Sequence, residues 1–168
     1  DLGLLYASMG RFNSADFYTS EALDIREKTL GKSSMAYASS LNNIAVLYQE
    51  TARFNEADQY FEDALQTVKA QYGEQSQEYA IVLNNQAIFF SKIGRMDQAV
   101  AKLKSAISIL ESQSKPNENN QVGFQSNLAL LYQHTGKFTD AEAIYLKLDK
   151  SLEKSLATNN PYRAGVFD

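Results

Sequence analysis

Three asparagines spaced by 42 residues, Asn43, Asn85 and Asn127, are the side chains whose type and spacing best suit chemistry with a partner. A carboxamide carries both N–H donors and a carbonyl acceptor, which is also what a peptide group presents. A row of such amides can satisfy a partner's backbone without reading its side chains. Asn42 and Asn84 stand beside them, while Ser126 departs from the doublet. Three residues on come Val46, Ile88 and Leu130, with Leu4 preceding them, and in a helix that spacing puts them on the same face. An amide row beside an apolar row suits a peptide or a partner helix. The same residues also admit a structural use, because asparagines bond locally or cap helices and an apolar row can pack on its neighbour. One turn further lie Gln49, Ser91 and Gln133, then Glu50, Lys92 and His134, polar and varied enough to supply selectivity.

Other chemistries find little support. His134 is the only histidine and there is no cysteine, so no metal site, cofactor site or disulfide framework is expected. No phosphate-cradling glycine loop, nucleophile motif or paired-carboxylate constellation is present, so no enzymatic activity is expected. A net charge of -4, with lysines and arginines dispersed among acids, speaks against a nucleic-acid partner. No apolar run is long enough for a spanning helix and no signal-peptide pattern opens the chain, so no membrane partner is expected. These features leave the compartment open, with the cytoplasm the favoured expectation.

The elements that must position the amides repeat with them. At an offset of 42 the aromatics Tyr6, Tyr48, Phe90 and Tyr132 align, as do the small residues Gly3, Ala45, Ala87 and Ala129. Gly10, Ala52, Gly94 and Gly136 follow, each before a base: Arg11, Arg53, Arg95 and Lys137. Phe12, Phe54, Met96 and Phe138 come next, then Ala15, Ala57, Ala99 and Ala141. Within each register apolar residues step by three and four in both halves, as in Leu41, Ile44, Ala45 and Tyr48 and again in Ala57, Tyr60, Phe61, Ala64, Leu65 and Val68. Each register therefore reads as two helices joined by a short turn. The alanines mark close helix crossings, because a larger side chain there would push the axes apart.

The boundaries are read from turn chemistry. Asn13, Asn55, Asp97 and Thr139 are expected to cap the second helices. The glycines before the bases suit a helix stop at positive φ, so Ala52 is expected to end its helix another way. Ser33, Ser34 and Ser76 can cap first helices, and the polar stretch 114–120 keeps the register as a turn, not a domain linker. Repeats are expected at about 1–33, 34–75, 76–117 and 118–157, with a fifth beginning at 158–168. Asp1 and Asp168 fall at neighbouring points of the repeat, which suggests a single array that is a piece of a longer one.

These landmarks, small-x-x-Tyr, then Gly-Arg/Lys-Phe, then Ala-x-x-x-aromatic-x-x-Ala, resemble the tetratricopeptide repeat, whose usual unit is about 34 residues. The longer unit here, with the segment from Glu21 to Lys32 followed by Leu41-Asn42-Asn43, is similar to the 42-residue variety of kinesin light chains. The resemblance implies an all-α fold, a right-handed α-α superhelix of antiparallel helix pairs whose first helices line a concave groove. It also implies a protein-protein interaction scaffold holding a peptide or protein segment there, with Asn43, Asn85 and Asn127, and Asp1 in the opening copy, at the peptide-holding positions. Beside Asn42, Asn84, Val46, Ile88, Leu130, Gln49 and Gln133, Lys92 is the one base among these positions, which disfavours a clamp for a terminal carboxylate. An alternative is a structural spacer that self-associates end to end through its incomplete terminal repeats.

Overall fold

A computed structural model describes residues 2–115 and 117–158. Among them are eight helices and no strand: α1 (Leu2–Ser8), α2 (Phe12–Leu30), α3 (Met35–Glu50), α4 (Phe54–Tyr72), α5 (Gln77–Lys92), α6 (Met96–Glu111), α7 (Glu118–His134) and α8 (Phe138–Thr158). Asp1, Pro116 and the expected fifth repeat beyond residue 158 lie outside the described residues.

The turns within pairs are backbone motifs that close each first helix. Gly10, Gly94 and Gly136 have φ of 70°, 79° and 74°, and the following base donates its backbone N–H to the carbonyl five residues back. Arg53 reaches Tyr48 at 2.8 Å, Arg95 reaches Phe90 at 2.8 Å and Lys137 reaches Tyr132 at 2.8 Å. This is the pairing of a left-handed C-terminal stop. Ala52 does not end its helix another way: it takes the same stop at φ 59°. The Arg53 bond, a second from the Ala52 N–H to the Gln49 carbonyl at 3.3 Å, and the Thr51 hydroxyl on the Leu47 carbonyl at 3.1 Å hold it there. A methyl group is tolerated because the bonds on either side offset the left-handed cost of about 1–2 kcal/mol.

The second helices also differ from expectation. They begin at Phe12, Phe54 and Met96, with Arg11, Arg53 and Arg95 at the cap positions and no side-chain cap bond. α8 likewise begins at Phe138. Since the base after the left-handed residue is already bonded back to the first helix, the next helix starts immediately. Asn13, Asn55, Asp97 and Thr139 are thus inside their helices and not caps. Between pairs the expectation holds better. Ser34 and Ser76 accept from the N–H groups of Tyr37 and Tyr79 at 3.2 Å, and Asn117 accepts from Asn120 at 3.1 Å.

Packing follows the small residues. Ala15, Ala57 and Ala99 on second helices and Ala45, Ala87 and Ala129 on first helices are fully buried, with Phe61, Phe89, Leu65, Leu103 and Leu110 filling the spaces between. In the opening pair the closest position is Gly3, where a Cβ would overlap the methyl group of buried Thr19. Each helix packs on the next, and in addition α1 touches α3, α3 touches α5 and α5 touches α7. Among the described residues α2, α4, α6 and α8 make no such close backbone approach to one another, only side-chain ion pairs such as Lys147 on α8 with Glu111 on α6 at 3.7 Å. The array is therefore an all-α superhelix of antiparallel pairs that curves toward its first helices.

Candidate functional site

Because successive first helices touch, residues on their shared inner face meet across the pairs. The Asn85 amide donates to the Asn42 carbonyl at 3.0 Å, and the Asn127 amide donates to the Asn84 carbonyl at 2.9 Å. Within α5, Asn84 donates to Asn85 at 3.2 Å. The result is a continuous chain of amides running from α7 through α5 to α3. Asn42, Asn43, Asn85 and Asn127 are half-buried, Asn84 is buried, and Asn43 is partnered as well. The asparagines thus have a structural use, joining neighbouring helices, and their replacement removes inter-helix bonds as well as any bond to a ligand. Asp1, at the fourth register, lies outside the described residues.

The apolar row behaves differently. Leu4, Ile88 and Leu130 are 39%, 42% and 46% exposed, and Val46 is half-buried against the core. The residues on either side of Ile88 and Leu130 are buried, whereas around Leu4 the side chains of Leu2 and Leu5 are exposed as well. The next positions diverge. Gln49 is buried and donates to Glu50 at 3.2 Å, Ser91 is half-buried against the Met96 sulfur at 3.8 Å, and Gln133 is exposed.

At the helix ends Lys92 donates to Glu50 of the preceding pair at 2.9 Å, and this ammonium holds the Glu50 carboxyl below its ordinary pKa. Lys92 is therefore neutralised by its neighbour. His134, the next register, is exposed at the end of α7. No group of three potential metal ligands occurs among the described residues. No helix among them is long and apolar enough to cross a membrane.

Gln86 escaped the sequence reading. Its register positions are Ile44 and Leu128, both buried, yet Gln86 is buried too and its Oε1 has no hydrogen-bond partner. It lies at the floor of a groove between α4 and α6, beside Tyr79 and Phe90 and between the acids Asp58 and Glu62 and the base Lys102. The signal was available: a polar residue where the repeat places an aliphatic one.

The fold and this face define a helical-repeat scaffold. A tetratricopeptide repeat model matches residues 1–70 and 38–112, and a second tetratricopeptide repeat model matches 124–148. The chain belongs to the tetratricopeptide repeat family, which is a general protein-protein interaction scaffold whose members are generally non-catalytic. Among solved structures it is similar to BtubC (BKLC) from P. vanneervenii, with a TM-score of 0.80 and 26% identity over 95% of this chain. The chain spans 63% of that protein's length. It is also similar to a Podosopora anserina protein described as a kinesin light chain with nearly identical TPR-like repeats, with a TM-score of 0.76 and 20% identity over 96% of this chain and 77% of that one. Comparison with curated proteins gives no match.

Proposed function

We propose that the chain is a non-catalytic scaffold that holds a peptide or protein segment against the inner face of its first helices. The observation that carries this reading is the exposed row Leu4, Ile88 and Leu130, set beside half-buried amides on α3, α5 and α7. A partner covering that row buries the exposed part of each aliphatic side chain, which is under half of it and so contributes about 1 kcal/mol apiece. Asn85 and Asn127 each donate one amide N–H to the neighbouring helix and carry a second that suits its backbone carbonyls. Asn43, Asn85, Asn127 and Val46 would line the contact, with Gln133 and His134 at its edge. Gln49 would act indirectly, through Glu50.

The test is selection of peptides on the chain from a random displayed library. Selected peptides are expected to lose at least tenfold in affinity for the Ile88→Ser/Leu130→Ser variant, which changes exposed side chains and leaves the core intact. Peptides that bind this variant as tightly as the parent would place the site elsewhere and overturn the reading.

A further inference from the structure

The groove over Gln86 lies on the other side of the array from the amide row, and the repeat itself supplies filled versions of it. In the preceding step the register places Ile44 at the Gln86 position, and half-buried Tyr60 on α4 packs against the core with its ring edge-on to Tyr48, 5.4 Å between centroids. In the following step the same positions hold buried Leu128 and Ile144, which also packs against the core. Between α4 and α6 all of them change together. Gln86 replaces the aliphatic floor, Phe90 stands for Tyr48, and Lys102 stands where Tyr60 and Ile144 pack. A lysine keeps its ammonium in water and does not plug an apolar slot. Among the described residues Lys102 makes no hydrogen bond or ion pair, and the groove it borders has a volume of about 1030 Å³.

The step that lacks its plug also holds the unanswered acceptor. Gln86 is 2% exposed and its Oε1 has no hydrogen-bond partner, a deficit that an entering N–H or O–H group would relieve. An aliphatic occupant such as Ile144 in its own step leaves that oxygen unmet. The ring of Phe90 also lines the groove, and a ring edge is a favourable neighbour for it, as Tyr60 is for Tyr48. A phenol meets both demands, and Tyr60 shows that a ring of this size is accepted at the position.

Length points to a polypeptide as its carrier. Tyr79 and Phe90, both lining the groove, stand about three turns apart on α5, roughly 16 Å. One ring leaves most of that length unfilled. The walls then offer Asp58 and Glu62 on α4 as acceptors, and Gln98 and Ser105 on α6 as donors and acceptors, for the flanking backbone.

We infer that the groove between α4 and α6 takes a tyrosine side chain from a segment of a partner protein, its hydroxyl donating to Gln86 and its ring lying against Phe90 in the place Tyr60 fills one repeat earlier. This site is separate from the inner face. The experiment is a two-dimensional NMR titration of the full chain with two seven-residue peptides, a serine–alanine host carrying a central tyrosine or a central phenylalanine, and with N-acetyltyrosinamide.

The tyrosine peptide is expected to shift the backbone signals of Tyr79, Gln86 and Phe90 and to bind about fivefold more tightly than the phenylalanine peptide, the worth of one hydrogen bond. Lys102→Tyr supplies the ring from the chain itself and is expected to weaken the tyrosine peptide at least tenfold. Gln86→Ile is expected to bring the two peptides level, and Ile88→Ser/Leu130→Ser to leave both unchanged. Circular dichroism checks that each variant keeps its helices. Absence of binding, equal binding of the two peptides to the parent, or a tyrosine preference that survives either groove variant overturns the inference. Binding lost with the inner-face variant puts the peptide on that face, overturning this site while the peptide-binding reading stands. If N-acetyltyrosinamide binds as tightly as the tyrosine peptide, the polypeptide occupant is overturned in favour of a small phenol.

Discussion

Along the first helices the joints between pairs are neutral amides, Asn85 on Asn42 at 3.0 Å and Asn127 on Asn84 at 2.9 Å. On the other side they are cations on rings and acids, and they loosen from Arg53 to Arg95. The Arg53 guanidinium lies 3.6 Å above the Tyr48 ring, 3.4 Å from Asp16 of the preceding pair, and is bonded to Glu56. Arg95 lies 5.9 Å from Phe90 and 3.9 Å from Asp58. Lys137 is 5.8 Å from Tyr132 and Val100 stands at the acid's position, but Lys104 of the preceding pair also lies 5.8 Å from that ring and Lys147 on α8 lies 3.7 Å from Glu111 on α6. The amide chain shows no such decline. An amide bond is short, directional and indifferent to salt, whereas an exposed cation joint weakens with screening and with any lost partner. The inner joint keeps one form, whereas the outer one changes its partners from step to step.

Asn84→Ala tests this most severely, because buried Asn84 donates to Asn85 and accepts from Asn127. Losing both bonds is expected to cost about 2 kcal/mol in urea unfolding, with little dependence on salt. A cost below that of Arg53→Ala would show that the amides are not the stronger joint. Arg53→Ala itself is expected to cost about 1 kcal/mol and Arg95→Ala roughly half that, given their different ring distances. Equal costs for the two would remove the gradient along the outer side.

The smallest effect concerns the bridge at the helix ends. Glu50 has its folded pKa lowered from an ordinary 4.5 by the hydrogen bond from Lys92. Its stabilisation is therefore present above that value and lost as pH falls through the lower folded one. For a half-exposed pair this amounts to a few tenths of a kcal/mol, roughly. Melting temperatures from neutral to acidic pH should fall less steeply for Glu50→Gln than for the parent. An identical slope would mean that the bridge contributes nothing to the joint.

Much of this was legible in the chain itself. The register, the two helices per repeat, the serine caps at Ser34 and Ser76 and the alanine crossings all follow from local pattern and came out as read. Ala52 and the second-helix starts did not. A single alanine says nothing of φ, and the stop it occupies is set by bonds from Arg53 and Thr51 to the helix before it. Gln49 and Gln133 occupy one repeat position, yet one is buried and the other exposed. Their environments depend on what the neighbouring helix brings.

By itself the sequence determined the face on which Asn43, Asn85 and Asn127 stand, because the helical period assigns every side chain a direction. Only the tertiary structure decided what those amides do there. Alanine-sized contacts bring successive helices close enough for Asn85 to meet Asn42 and Asn127 to meet Asn84, while the apolar row beside them stays uncovered. Periodicity gives direction, and distance comes from packing. Whether a polar side chain bonds its neighbour or faces a partner is settled by distance.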